Sequence, residues 1–137
     1  MLKKRIIVTM MISVMLVLSL GITAIASGSG LQIQTSGSAA MENIVQPNTT
    51  VSGDEVGGGT WSYGTNIVNN EKYVWSNYYH KTYRHGSTAL TYHTTILGSM
   101  IIDEKSSAEA DAGSWSYAHV YDTDTSHRGQ AYWKIIK

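Results

Sequence analysis

Residues 72–80, KYVWSNYYH, place four large aromatic rings within nine positions. Lys81, Arg84 and His85 follow a few positions later, so cationic and imidazole groups lie beside the rings in sequence. Tyrosine and tryptophan can fill a core, or they can present a flat face and a polar tip at a surface. The chemistry that this stretch offers is therefore binding, provided that the core does not need all of its rings.

The candidate metal ligands are the five histidines His80, His85, His93, His119 and His127. None belongs to a His-x-x-x-His pair on a helical pattern, and the chain has no cysteine to complete a site. Chelation by His80 and His85 across a turn is the nearest alternative, but hydrogen-bonding surface histidines are the more ordinary explanation. The sequence accordingly predicts no metal site, and nothing in it indicates a cofactor.

Catalytic patterns are equally weak. There is no G-x-S-x-G nucleophile motif, and the nearest segment, AGSWS at 112–116, lies in a strand pattern. Asp103 and Glu104 are typical of a solvated strand end rather than of the paired carboxylates of a glycosidase. Asp122 and Asp124 are typical of a turn, without the glycine and glutamate of a calcium loop. We therefore predict that the protein is not an enzyme.

The N-terminal segment has the pattern of a secretory signal peptide. Three basic residues precede an almost wholly apolar run at 6–20, and Ala24 and Ala26 then occupy the −3 and −1 positions before Ser27. An uncleaved anchor is the alternative, but no stop-transfer charges follow the run. We predict that residues 1–26 are removed and that the mature chain is extracellular, without stable membrane insertion.

The mature chain has an unusual composition for an exported protein. Seven lysines and arginines stand against ten acidic residues after cleavage, so the net charge is −3 with histidine neutral. No cluster of Lys and Arg provides the basic face that nucleic-acid binding needs. The chain lacks cysteine, so packing or self-association must replace the disulfides usual in small exported domains.

The mature chain divides near residue 57. Residues 27–56 contain no aromatic ring and are rich in Ser, Gly and Thr, with the only proline at Pro47. Such a stretch buries too little apolar surface to offset the entropy of ordering it, which predicts a flexible linker or propeptide. All four tryptophans and nine tyrosines lie between Trp61 and Trp133, so the folded unit is predicted at 57–137.

Side chains in the folded unit alternate with a period of two. In GSWSYAHVYD, the bulky side chains of Trp115, Tyr117, His119 and Tyr121 alternate with smaller ones, as on the two faces of a strand. Similar strand patterns cover 59–64, 87–97 and 131–136, and turn signals stand at 69–70, 85–86, 98–99 and 122–129. Residues 106–113 lack an apolar helical face and favour strand or loop. About six short strands predict an all-β antiparallel sandwich or small barrel.

The number of rings exceeds what a small core can hide. A domain of about 80 residues buries only a little over 60% of its unfolded surface, and each Tyr or Trp adds roughly 150–250 Å². Phenylalanine, which has no polar tip, is absent. We therefore expect about half of the rings in the core and the remainder at an oligomer interface or a binding face.

Four aromatic segments follow one another through the folded unit: GGGTWSYG (57–64), KYVWSNYYHKTYRHGSTA (72–89), AGSWSYAHVY (112–121) and AYWKI (131–135). Together, in order and with similar spacing, they resemble the lactococcin 972 family of secreted bacteriocins. The resemblance implies a disulfide-free β-sandwich of two three-stranded antiparallel sheets that forms a homodimer. It also implies killing of related Gram-positive cells by blocking septal wall synthesis through the precursor lipid II, without pore formation.

Lipid II, or another cell-wall precursor, would be the partner of such a protein. It presents sugars, for which Tyr and Trp faces are suited, and a pyrophosphate, for which a nearby cation or backbone amide is suited. The predicted contact surface consists of Trp75, Tyr78, Tyr79, His80, Lys81, Arg84 and His85. Alternatively, Trp75 and Tyr79 belong to the core and the other residues cap a hairpin. A secreted wall-binding or carbohydrate-binding module without killing activity would share this composition and fold.

Overall fold

A computed structural model describes residues 34–42 and 45–137 of the chain. These residues form one turn of 3-10 helix, Asp54–Val56, and eight strands. The strands are β1 (Ser36–Met41), β2 (Gln46–Gly53), β3 (Gly59–Val68), β4 (Glu71–Tyr79), β5 (His85–Thr94), β6 (Met100–Ala110), β7 (Trp115–Asp122) and β8 (Arg128–Ile135). The predicted signal peptide and its cleavage site at Ala24, Ala26 and Ser27 lie outside the described residues.

The strands form two four-stranded antiparallel sheets. The first sheet has the order β1-β8-β5-β6, and the second has the order β2-β3-β4-β7. Inward side chains of both sheets, among them Ala89 of β5 and Val74 of β4, join in a single hydrophobic core. The all-β antiparallel prediction is confirmed. The expectation of six strands in two three-stranded sheets is corrected to eight strands in two four-stranded sheets.

The two additional strands come from the segment expected to be a linker. β1 pairs with β8 from Ser36 to Met41, and β2 pairs with β3. Met41 is fully buried, and Gly37 lies under the ring of Trp133, which leaves no room for a Cβ atom. Edge strands can be held by main-chain hydrogen bonds and small inward side chains, so the lack of rings was a poor guide to disorder here. Removal of this segment as a propeptide stays a prediction.

The aromatic run at 72–80 is divided between the two faces of β4. Val74, Ser76 and Tyr78 point inward and are buried, whereas Tyr73, Trp75 and the other odd-numbered positions are only partly buried. Alternate side chains of a strand point to opposite faces, so neighbouring rings in one segment have different environments. The run therefore supplies the core and a surface at the same time.

The inward rings have hydrogen-bond partners for their polar tips. The Nε1–H of Trp61 donates to Ser76 Oγ at 2.9 Å, and the hydroxyl of Tyr78 donates to the backbone oxygen of Val56 at 2.7 Å. Burial raises the pKa of Tyr78, so its hydroxyl keeps its proton. The Tyr78 ring also packs against Trp133, with ring centroids 5.0 Å apart. Phenylalanine has no polar tip and could not make these hydrogen bonds, which explains why the core uses tyrosine and tryptophan at these positions.

The predicted turns are mostly found, with one error. Asn69 and Asn70 have positive φ values of 52° and 64°, as a tight hairpin between β3 and β4 requires. The predicted turn at His85-Gly86 is wrong, because β5 begins there and both residues are buried. A Cβ on Gly86 would lie 3.0 Å from a backbone oxygen, so this glycine serves close packing. The expectation of strand or loop over 106–113 is confirmed, because β6 continues to residue 110 and a turn follows it.

Candidate ligand-binding face

The second sheet carries most of its exposed rings on one side. β4 and β7 are neighbours in this sheet, and their outward positions lie opposite each other in register, as in Tyr73 with Tyr121 and Tyr79 with Trp115. Asn77 of β4 similarly lies opposite Tyr117 of β7. We term this surface the outer aromatic face and define it by six rings: Tyr73, Trp75, Tyr79, Trp115, Tyr117 and Tyr121.

The six rings form two contacting groups along this face: Tyr73 with Trp75 and Tyr121, and Trp115 with Tyr79 and Tyr117. Ring centroids are 4.8 Å apart for Tyr73 and Tyr121, and 5.5 Å apart for Tyr79 and Trp115. Trp75 stacks against Tyr73 at 5.5 Å. Exposure is greatest on β7, where Tyr117 is 61% exposed. Cross-strand ring pairs stabilise the sheet, but their outer surfaces stay available to a ligand.

Polar groups border this band on the β2 and β3 side. Asn48 Oδ1 accepts hydrogen bonds from Ser62 Oγ at 2.6 Å and from Trp75 Nε1 at 3.4 Å. The Trp75 ring lies over Gly64, where any Cβ atom would collide with it. The asparagine and the glycine therefore fix the orientation of this indole, so that the ring lies flat along the sheet.

The outer aromatic face is uncharged over most of its length. The described outward positions of β4 from Tyr73 to Tyr79, and those of β7, contain no Asp, Glu, Lys or Arg. Burial raises the pKa of Tyr73, and the neighbouring Tyr121 raises it further, so Tyr73 stays protonated at neutral pH. Flat rings with hydroxyl and amide groups can cover the apolar side of a sugar and hydrogen-bond its hydroxyls.

The structure separates the seven residues predicted as a contact surface. Trp75 and Tyr79 belong to the outer aromatic face. Tyr78, His80 and His85 are buried, and the Tyr78 and His85 rings meet edge to face at 5.3 Å. The burial of these three side chains removes them from any surface that a large ligand can reach.

His80 has a structural role in the connection between β4 and β5. Its Nδ1 accepts hydrogen bonds from the backbone N–H groups of Thr82 and Tyr83, at 3.1 and 3.0 Å. Its Nε2 lies 3.0 Å from the backbone oxygen of Gly57 and donates to it. Both nitrogens are thus engaged with the backbone, and the alternative of chelation by His80 and His85 finds no support in this geometry.

The two predicted cations are both exposed, and one of them is in an ion pair. Arg84 Nη2 pairs at 3.0 Å with Glu109 of β6, which belongs to the first sheet. Lys134 binds the same carboxylate at 3.0 Å, and the pKa of Glu109 is lowered, mainly by this contact. Lys81 is exposed and directly follows the buried His80 at the end of β4. Lys81 follows Tyr79 of the outer aromatic face by two positions, whereas Arg84 is held by Glu109 of the first sheet.

Sequence reasoning placed the site on one segment and missed the contribution of β7. The alternation of Trp115, Tyr117 and Tyr121 was visible in the sequence and correctly predicted one strand face. The missing information was that β7 pairs with β4, in a register that puts the two rows of rings side by side. Alternation within a strand shows which side chains share a face, but it does not show which strand lies beside it.

Comparison with known proteins identifies the class of protein. The model of a bacteriocin family, Bacteriocin (Lactococcin_972), matches residues 57–133, which is more than half of the chain. The chain belongs to this bacteriocin family. The match runs from before β3 into β8 and includes both strands of the outer aromatic face. Searches of curated proteins and of solved structures each found no match. Over the described residues, no helix has the length and apolar character needed to cross a membrane.

Proposed function

We propose that the chain is a secreted, non-enzymatic bacteriocin that kills related Gram-positive bacteria by binding lipid II and blocking septal wall synthesis. Membership of the bacteriocin family supports the killing activity. The observation that carries the binding step is the outer aromatic face. It offers an exposed, uncharged band of rings that the core does not require.

The dimensions of this face suit a chain of sugars. The six steps from Tyr73 to Tyr79 span about 20 Å at roughly 3.3 Å per residue, and β7 adds a second row about 4.8 Å away. Two linked sugars can lie along such a band, each covered by one or two rings. Asn77 lies between the rings of β4, where its amide can hydrogen-bond a sugar hydroxyl.

The pyrophosphate of lipid II needs a cation at one end of the band. Lys81 is exposed and follows β4 just beyond Tyr79. Arg84 is already paired with Glu109 on the first sheet. We therefore assign the pyrophosphate contact to Lys81, with the sugars extending over Tyr79 and Trp115.

We also propose that the protein forms a homodimer through a second surface. Five large apolar side chains are exposed on the hairpin between β5 and β6, and we term them the hairpin patch: Ile96, Leu97, Met100, Ile101 and Ile102. Burial of an exposed apolar surface of this size against a partner lowers the free energy of association. A second copy that covers this patch would leave the outer aromatic face open to a ligand.

A secreted wall-binding module without killing activity is the second candidate function. The outer aromatic face favours it equally, because flat uncharged rings would also bind finished wall polysaccharide. The two candidate functions differ in whether the target cell dies and in whether added lipid II competes with the target cell for the protein.

A spot-on-lawn assay with purified protein tests the proposal. We expect a halo on related Gram-positive strains that shrinks in proportion to added lipid II, with failed septation and intact membrane potential. Trp115→Ala with Tyr117→Ala should shrink the halo, whereas Tyr132→Ala, on the other sheet, should not. A halo indifferent to lipid II, or rapid depolarisation, would contradict the mechanism. Binding to isolated wall without a halo would favour the module.

A further inference from the structure

Five titratable side chains meet at one end of the fold, apart from the outer aromatic face. We term them the His–Asp cluster: His93 of β5, Asp103 of β6, Asp122 at the end of β7, and Asp124 and His127 between β7 and β8. They come from separate segments of the chain. The proposed function uses none of them.

The Asp103 carboxylate contacts both imidazoles. His93 Nδ1 is 2.9 Å from both carboxylate oxygens of Asp103, and His127 Nδ1 is 3.3 Å from Oδ2. The two rings are stacked with centroids 5.3 Å apart. One ligand atom from each of the three residues lies within 4.8 Å of the other two. A tetrahedral zinc site with bonds of about 2.0–2.2 Å needs ligand atoms roughly 3.3 Å apart, so only a small closure is required.

His127 is held by a carboxylate on each side. Asp122 Oδ2 lies 2.7 Å from Nδ1, and Asp124 Oδ2 lies 3.3 Å from Nε2. If Nδ1 binds a cation, the ring proton resides on Nε2 and is donated to Asp124. This is the carboxylate–histidine arrangement that orients metal ligands. Asp122 Oδ2 is then close enough to Nδ1 to reach the same cation.

Both flanking carboxylates are fixed in place. Thr91 Oγ1 donates to Asp122 at 2.6 Å, and the backbone N–H of Asp124 donates to it at 2.9 Å. Ser126 donates to Asp124 through its hydroxyl at 2.6 Å. Ligands held in this way lose little further freedom on binding a cation.

The cluster carries an excess of negative charge. Three carboxylates surround two imidazoles, and the charge of Asp122 also interacts with the buried Lys72. The next basic residue along the chain, Arg128, contacts Glu42 instead, at 3.9 Å. A divalent cation would neutralise the remaining charge.

We propose that the His–Asp cluster binds one zinc-class divalent cation through His93, Asp103 and His127, with Asp122 as a fourth ligand. Two imidazole nitrogens favour zinc over calcium or magnesium, which prefer sites made of oxygen atoms alone. The cation would join β5, β6 and the segment after β7. It would thereby tie together a fold that has no disulfide, and stabilise it increasingly as the free cation concentration rises above the Kd of the site.

Zinc titration of the untagged full-length protein, freed of metal with EDTA, tests this site. We expect one Zn²⁺ per chain by calorimetry, a rise in Tm of several degrees, and no comparable effect of Ca²⁺ or Mg²⁺. Co²⁺ in place of Zn²⁺ should give the visible absorption of a four-coordinate site. His93→Ala and Asp103→Asn should each weaken Zn²⁺ binding at least tenfold, whereas His119→Ala, on the face of the second sheet, should bind normally.

Folding must be separated from binding in these variants. His93 is 43% exposed, so circular dichroism should show an unchanged fold for His93→Ala. Equal zinc binding by His93→Ala and the unsubstituted protein would overturn the proposal. So would the absence of stoichiometric binding, or an equal response to Ca²⁺, and the cluster would then be a network of hydrogen bonds only.

Discussion

At the scale of single residues, tyrosines on the two faces of the second sheet have opposite roles. Tyr78→Phe removes the donor to the backbone oxygen of Val56 and leaves that buried acceptor unpaired. We expect a loss of about 1–3 kcal/mol of unfolding free energy in denaturant titrations. Tyr117→Phe, on the exposed face, should change it by less than about 0.5 kcal/mol. Equal effects would mean that the Tyr78 hydroxyl makes no net contribution.

The two cations that follow β4 allow a second prediction at this scale. Lys81→Ala should weaken lipid II binding roughly tenfold or more, because a charge-assisted contact is worth about 1.5–3 kcal/mol. Arg84→Ala should weaken it less, since Arg84 is paired with Glu109 on the other sheet. Both side chains are exposed, so Tm should change little in either variant. A larger loss of binding for Arg84→Ala, measured by lipid II titration, would restore Arg84 to the contact surface.

At the scale of elements, β1 and β2 decide where the folded unit begins. Met41 is fully buried against the core, so Met41→Ala should lower the unfolding free energy by about 2–5 kcal/mol. Val45→Ala is the matched control, since Val45 is 52% exposed, and it should have almost no effect. If both variants unfold at the same denaturant concentration, the segment before residue 57 does not contribute to the fold.

The strands were predictable where alternation was strong and hidden where it was not. The period of two in 115–121 gave the correct faces of β7, because large and small side chains alternate there. β1 and β2 consist largely of small and polar residues, so their pairing with β8 and β3 left no signal in composition. His85 was assigned to a turn because glycine follows it, although Gly86 is needed for packing. Residues 80–84 make the connection.

The candidate site was predictable only in part, for a similar reason. The run at 72–80 offered rings for a core or for a surface, and the structure divides it between both, because inward and outward residues of one strand are adjacent in sequence. His80 and Lys81 are neighbours in the chain, yet one is buried and the other exposed. The His–Asp cluster gave no motif at all, since the fold brings its side chains together from positions as far apart as His93 and His127. A sequence motif reveals side chains that are close in sequence, whereas this cluster joins three segments of the chain.

At the scale of the whole molecule, ligand binding and self-association are assigned to different surfaces. Ile101→Asp places a charge in the hairpin patch, where Ile101 is 44% exposed. Burying that charge between two copies would be costly, so we expect a monomer by sedimentation at micromolar concentration, where we expect the unsubstituted protein to be a dimer. The monomer should keep its affinity for lipid II, because the outer aromatic face is untouched. Ile101→Val is the control and should remain a dimer.

Substitutions on the outer aromatic face should have the opposite effect to Ile101→Asp. Trp115→Ala with Tyr117→Ala removes two rings of the outer aromatic face, and the protein should lose most lipid II binding while sedimenting as a dimer. Both side chains are exposed, so the fold should survive, as circular dichroism and Tm can verify. If this variant becomes a monomer and Ile101→Asp does not, the rings are buried between copies and the ligand must bind elsewhere. If each variant loses only its own property, recognition and assembly are independent functions of the two surfaces.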